Sequence, residues 1–222
     1  MIGLSFVAFV DILGFGEMVI ADCESAIPGN KYLPSLRSAI HTALSHATSV
    51  DAKITQFSDS IVVSSPFSVN CSEFENFLEL VRALQGLLFS AGILCRGGVS
   101  HGRHFHDETL LFSQGLIEAY RLESQVANDP RIVVSFETLD LLYPNGANHS
   151  VIMRDADNEP FLDYLSVLNS DEVESVIETM RPRLDTSSAR VRSKTAWLIR
   201  YAHFCHPKIK MPDTITLRRT AA

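Results

Sequence analysis

No apolar run in this 222-residue chain reaches the roughly 18–20 residues that a membrane span needs. No basic stretch or small-residue cleavage site accompanies the apolar N-terminus, so it reads as a first strand, not a signal peptide, and a cytoplasmic protein is expected. There is no CxxC: Cys23, Cys71, Cys95 and Cys205 lie far apart, which points to reduced, mostly buried thiols and away from a disulfide framework. Positive charge is not in excess. Lys and Arg number 19 against 26 Asp and Glu, for a net charge of −7, which argues against a nucleic-acid polymer or an anionic membrane as partner. A nucleotide substrate stays open, because bound metals can supply local positive charge. Repeats, low-complexity tracts and linkers are lacking, so one domain over 1–222 is expected, with a core over about 4–142 and an extension over about 143–222. Ser, His and Asp all occur, but no nucleophile elbow does.

What the chain does have is a stretch at Leu4–Gly16, LSFVAFVDILGFG. Leu4 to Val10 is apolar on both faces, Leu4, Phe6, Ala8 and Val10 against Val7 and Phe9, as suits a strand in the middle of a covered sheet. It ends on Asp11 and turns through Gly14 and Gly16 into a short helix or turn over Gly14–Ala26, with a break at Pro28-Gly29-Asn30. Leu36, Ile40, Ala43, Leu44 and Ala47 recur at helical spacing over Leu33–Thr48. Lys53–Ser64, KITQFSDSIVVS, reads as a hairpin turning at Asp59. Ser72–Ser90 predicts a long helix, with Ser72 and Glu75 as a capping box. A strand over Ile93–Ser100, a turn over Gly102–Phe105 and an extended piece at Leu110–Phe112 follow. A helix over Gly115–Ala127 is expected to turn Leu116, Ala119, Tyr120, Leu122 and Val126 inward. A short strand at Arg131–Ser135 and a short helix at Phe136–Leu142 complete the core. This order predicts an α+β fold, a split βαβ sheet with helices mainly on one face. Edge strands are expected at Val151–Met153 and Phe161–Leu165, helices at Asp171–Arg183 and Ala189–Phe204, and a loose tail from Pro207.

Two carboxylates on neighbouring strand ends, Asp11 and Asp59, beside a loop with free backbone N–H groups, suit a divalent metal and a polyphosphate. Separately each has a plainer use, Asp11 capping a turn and Asp59 making one. Together, with a helix between them, they favour metal. His101, His104, His106 and Asp107 read as a solvated turn, since HxH lacks a third ligand. Lys194 reads as part of a surface helix, with a reach to a triphosphate as the other use.

The run Phe9 to Phe15 resembles the first metal motif of the class III nucleotidyl cyclases, and Ile54 to Val62 resembles their second metal hairpin. Arg96 to Gly102 is similar to the strand and turn after their long helix, and Leu116 to Glu123 (LIEAYRLE) to their late helix. The likeness runs over about Leu4–Leu142, and it implies a ferredoxin-like cyclase homology domain. It implies that Asp11 and Asp59, with the Ile12 carbonyl, hold two Mn2+ or Mg2+ ions, and that the backbone of Leu13, Gly14, Phe15 and Gly16 holds the β- and γ-phosphates. Arg121 falls on the arginine that steadies the α-phosphate; its other reading is a solvated helix face paired with Glu118 or Glu123. In this family the metal aspartates and that arginine come from opposite subunits, which implies a head-to-tail homodimer with composite sites.

The departures fall on base recognition. The purine-contacting lysine is replaced by Thr55, near Phe57, and the glycine before the second aspartate by Ser58. Ile117 stands where the family has asparagine, and no base-reading aspartate occurs near Leu110–Phe112. This pattern is similar to the pyrimidine cyclases of bacterial antiphage (Pycsar) systems. It implies a lyase that converts UTP to cyclic UMP, which activates a separate effector. Cytidylate cyclase, purine cyclase and a catalytically inactive nucleotide sensor are the alternatives.

Overall fold

The computed structural model describes residues 2–24, 31–47, 50–146 and 150–212. The break expected at Pro28–Asn30 and the end of the tail lie outside them. Two compact units are present, Met1–Tyr164 and Leu165–Ala222.

The first unit holds an eight-stranded sheet in the order β2-β3-β1-β4-β6-β8-β7, with β5 paired to β4. The strands are β1 Gly3–Ile12, β2 Lys53–Phe57, β3 Ser60–Pro66, β4 Cys95–His106, β5 Leu111–Ser113, β6 Ile132–Val134, β7 Ile152–Arg154 and β8 Pro160–Leu162. Its helices are α1 Phe15–Cys23, α2 Tyr32–Ala47, α3 Cys71–Ser90, α4 Gln114–Gln125 and α5 Phe136–Leu142. β1 pairs antiparallel with β3 and β4, and β4 with β6 in parallel, so the first four strands form the expected split βαβ unit. β7 and β8 join the same sheet beyond β6.

β1 is central because both of its faces are apolar. Phe6, Ala8, Val10 and Ile12 pack into the main core with α2, α3 and α5. Val7 and Phe9 point the other way, onto Val62 and Ala119 of α4. Among the described residues of this unit, helices therefore lie mainly on one face, with α4 on the other.

Three sequence expectations are corrected. The α3 cap is Asn70, whose side chain accepts from the Ser72 N–H; Ser72 donates its hydroxyl to the same oxygen and caps nothing. β4 runs through Gly102 without turning. The turn comes at Asp107, whose carboxylate accepts from the N–H and hydroxyl of Thr109 and the N–H of Leu110, bonds that also hold its pKa below the usual value. On α4 the buried stripe is Gly115, Ala119 and Glu123, while Tyr120 is 53% exposed.

That stripe explains the glycines of β4. A Cβ on Gly98 would lie 2.3 Å from the Ala119 carbonyl oxygen, and one on Gly102 would lie 2.7 Å from the Gly115 nitrogen. The backbone of α4 thus rests on the backbone of the sheet. The second unit holds α6 Ser170–Met180, a 3-10 turn at Arg181–Asp185 and α7 Ala189–Cys205. Among the described residues no helix is long and apolar enough to cross a membrane. The four cysteines are thiols and form no disulfide; Cys95 is buried, and burial pushes its thiol pKa far up.

Gly98→Ala should lift α4 off the sheet, because the obstructing atom is backbone and cannot turn aside. A loss of about 2–3 kcal/mol, or roughly 5–10 °C in melting temperature, is expected by calorimetry. An unchanged melting temperature would mean that this seam is looser than its geometry.

Candidate active site

Asp11 sits where β1 runs out of apolar cover. In register it faces Ser60 on β3 and Arg96 on β4. Asp59 occupies the β2–β3 turn. The Ile12 N–H donates to the Asp59 carbonyl at 2.8 Å, which stitches the hairpin tip to the end of β1. The structure thus brings the two aspartates to adjoining strand ends, as their sequence positions predict. Ser58 has a φ of 52°, in the left-handed region, which explains why a small residue precedes the aspartate. The Gln56 amide donates to the Ser58 carbonyl at 2.5 Å and braces the turn.

The loop after Asp11 leads into α1. Gly14, with φ 76°, takes the N-cap position, and Met18 donates its N–H to the Gly14 carbonyl. The Leu13 N–H is committed to the Leu94 carbonyl at 2.8 Å, so it anchors the loop and is not available to an anion. The N–H groups of Phe15 and Gly16 open the helix and have no intrahelical acceptor, which makes this end of α1 favourable to a phosphate.

The sequence reading missed a buried pair beside Asp11. Arg96 reaches Glu123 of α4 at 2.5 Å (Nη2 to Oε1), the Ala127 carbonyl at 3.4 Å, and Asp11 at 3.5 Å (Nε to Oδ2). The signal was available: Gly115, Ala119 and Glu123 are four residues apart on one helix face, so the glutamate had to be buried and partnered.

Arg121 is placed apart from the carboxylates. Its side chain is 57% exposed on the outer side of α4 and pairs with Glu118 at 2.6 Å. Ile117 and Tyr120 share that outer surface and are each 53% exposed. Thr55 lies on β2 with its hydroxyl 3.0 Å from His106 Nε2, and Phe57, at the end of β2, is exposed. The histidines do not form a solvated turn but lie within β4. His101 Nδ1 meets the Thr138 hydroxyl, and His104 Nδ1 meets the Ser113 hydroxyl, each at 2.8 Å. Lys194 lies on α7, in the second unit.

Asp11, Asp59 and the Ile12 carbonyl are hard oxygen donors, which suit Mg2+ or Mn2+. Among the described residues no three His, Cys, Asp or Glu side chains converge, so substrate phosphate oxygens and water would have to complete the shell. The donor set fits such an ion on those terms.

No protein-family model and no curated protein matches the chain. Solved structures do match. The adenylyl cyclase CyaB from P. aeruginosa is similar over 73% of this chain and 94% of its own, at 17% identity, with a TM-score of 0.51. The monomeric guanylyl cyclase domain of the RhoGC fusion protein from the aquatic fungus Blastocladiella emersonii is similar over 73% and 95%, at 13% identity, with a TM-score of 0.50. This is the class III cyclase fold. At these identities the likeness is one of fold, and the chemistry rests on the residues of the site.

Burial lowers the pKa of His104 and His106, joined by the charge of Lys53 and, for His104, by the neighbouring His106, so both take up a proton less readily than a free imidazole. In the unfolded chain they titrate near the ordinary value of about 6.5. Acidification therefore gives the unfolded state protons that the folded state refuses, and stability, full above that pH, falls below it. Melting temperatures taken from about pH 8 to about pH 5.5 should drop, and the drop should be shallower in His104→Asn. Equal slopes would remove His104 from the account.

Proposed function

We propose that the chain is a nucleotidyl cyclase of the class III superfamily, forming a 3′,5′-cyclic nucleotide and pyrophosphate from a nucleoside triphosphate. The observation that carries this is the stitching of Asp59 to the end of β1 beside Asp11, next to the opening turn of α1. The fold shared with adenylyl and guanylyl cyclases supports it. In this reading Asp11, Asp59 and the Ile12 carbonyl hold two divalent ions, which when bound lower the pKa of the ribose 3′-hydroxyl and neutralise the triphosphate. The Phe15 and Gly16 N–H groups bind the β- and γ-phosphates. The 3′-oxygen attacks the α-phosphorus, the bond to the bridging oxygen breaks, and pyrophosphate leaves as the hydroxyl proton passes to solvent. Arg96, beside Asp11, adds positive charge to this end of the sheet.

Arg121, turned outward on α4, acts in the site of a second copy, where it stabilises charge that grows on the α-phosphate. Exposed Ile117 and Tyr120 around it, with Leu110 and Phe112 from the neighbouring turn and strand, support α4 as the homodimer face.

The substrate we favour is UTP, and the product cyclic UMP, a messenger that activates a separate effector in antiphage defence. Thr55 supports this. It stands where purine cyclases place a lysine, and its hydroxyl meets His106, so this position offers no lysine charge to a base. CTP is the nearest alternative.

Incubation with each of the four ribonucleoside triphosphates and Mn2+ tests the reading. Turnover of UTP with pyrophosphate release is expected, and Asp11→Ala or Asp59→Ala should reduce it at least about 1,000-fold with melting behaviour kept. Preference for ATP or GTP would replace the pyrimidine assignment, and nucleotide binding without pyrophosphate would make the chain a sensor. Mixing Asp59→Ala with Arg121→Ala chains should restore one working site in each mixed dimer. Absence of restored activity, in a mixture shown to form dimers, would count against sites shared between subunits.

A further inference from the structure

Arg96 and Asp11 are cross-strand partners in register, so their side chains leave the sheet on the same face. The guanidinium has three claims on it. The shortest contact is Nη2 to Glu123, at 2.5 Å, from a side chain that is only 4% exposed. The Ala127 carbonyl takes Nη1 at 3.4 Å, and Arg96 reaches Asp11 through Nε at 3.5 Å, the outer limit of a hydrogen bond. The stronger hold is thus on the helix side, although both carboxylates are within reach.

From this we infer that Glu123 is a positioning residue: it holds the Arg96 guanidinium to α4 and so prevents it from capturing the Asp11 carboxylate. The inference rests on the reading of Asp11 as a metal carboxylate. Arg96 is nearly buried, at 14% exposure of its side chain, and a buried guanidinium seeks a carboxylate to pair with. With Glu123 neutral, Asp11 is the carboxylate that faces it across the strands. A bidentate Arg96–Asp11 pair would then occupy the lone pairs that a divalent cation needs. The same arrangement ties α4 to the end of β1, because the residue that restrains Arg96 belongs to the helix and the residue it spares belongs to the strand.

Mn2+ binding to the intact chain, followed by the electron paramagnetic resonance signal of the free ion, tests this without turnover. Wild type should bind and Asp11→Ala should not. Glu123→Gln should weaken Mn2+ binding about tenfold or more, as expected for one charge contact redirected. The double variant Glu123→Gln with Arg96→Gln should regain wild-type affinity within about threefold, because the competing guanidinium is gone. A purely structural Glu123 predicts the reverse, with the double variant binding no better than the single one. Glu123→Asp keeps the charge but withdraws it by one methylene. It should give a smaller loss in the same direction, and it carries the test if the Gln variant does not fold. Wild-type affinity in both Glu123 variants, or no recovery in the double variant, overturns the inference. If wild type and Asp11→Ala bind Mn2+ alike, it is the metal reading of Asp11 that fails, and the inference falls with it.

Discussion

A strand that is apolar on both sides must be covered on both sides, and the architecture of the first unit follows from how β1 meets that demand. One side is met generously, by α2, α3 and α5. The other is met by a single helix, α4, brought close enough by glycines to seal Val7 and Phe9. The sheet is therefore asymmetric, thickly covered on one face and thinly on the other. The thin face is where polar residues reach the surface without crossing a core. Asp11 falls on this same face, two residues beyond Phe9 at the end of β1.

The charges around Asp11 follow from the same geometry. A carboxylate at a strand end next to a packed core needs a counter-charge, and Arg96 stands opposite in register. Arg96 in turn needs more than one partner, and the helix supplies Glu123. The result is a short chain of alternating charge, Asp11, Arg96 and Glu123, leading inward from the strand end. The hairpin with Asp59 adds a second carboxylate from outside it, held by backbone through the Ile12 N–H. In the proposed enzyme this leaves a surplus of negative charge at the strand ends and a partial positive charge at the start of α1, matched to cations and phosphate respectively.

The sequence made legible what depends on local pattern. The double-faced apolarity of Leu4–Val10, the Ser-Asp-Ser turn and the long stripe of α3 each reveal their element, because burial periodicity and turn chemistry are short-range properties. Gly102 misled for a physical reason: a glycine that lets a helix approach looks in sequence like a glycine that lets a chain turn. The Asn70 cap was overlooked because Ser72 and Glu75 fitted a capping box at nearly the same place. Glu123 could have been found from its spacing to Ala119, but the identity of its partner could not, since Arg96 is brought to it only by the packing of α4 on β4. Likewise the bond between Thr55 and His106 joins β2 to the far end of β4, a closeness that no local pattern contains.

The seam between α4 and β4 has a mechanical corollary. Where side chains separate a helix from a sheet, small displacements are absorbed by changes of rotamer. At Gly98 and Gly102 there are no side chains to yield, and the main chains bear directly on each other. A push on the outer side of α4, such as a second protein docking over Ile117 and Tyr120, would therefore be transmitted to the strands almost undamped. The helix works less as a cushion than as a lever whose fulcrum is two bare α-carbons.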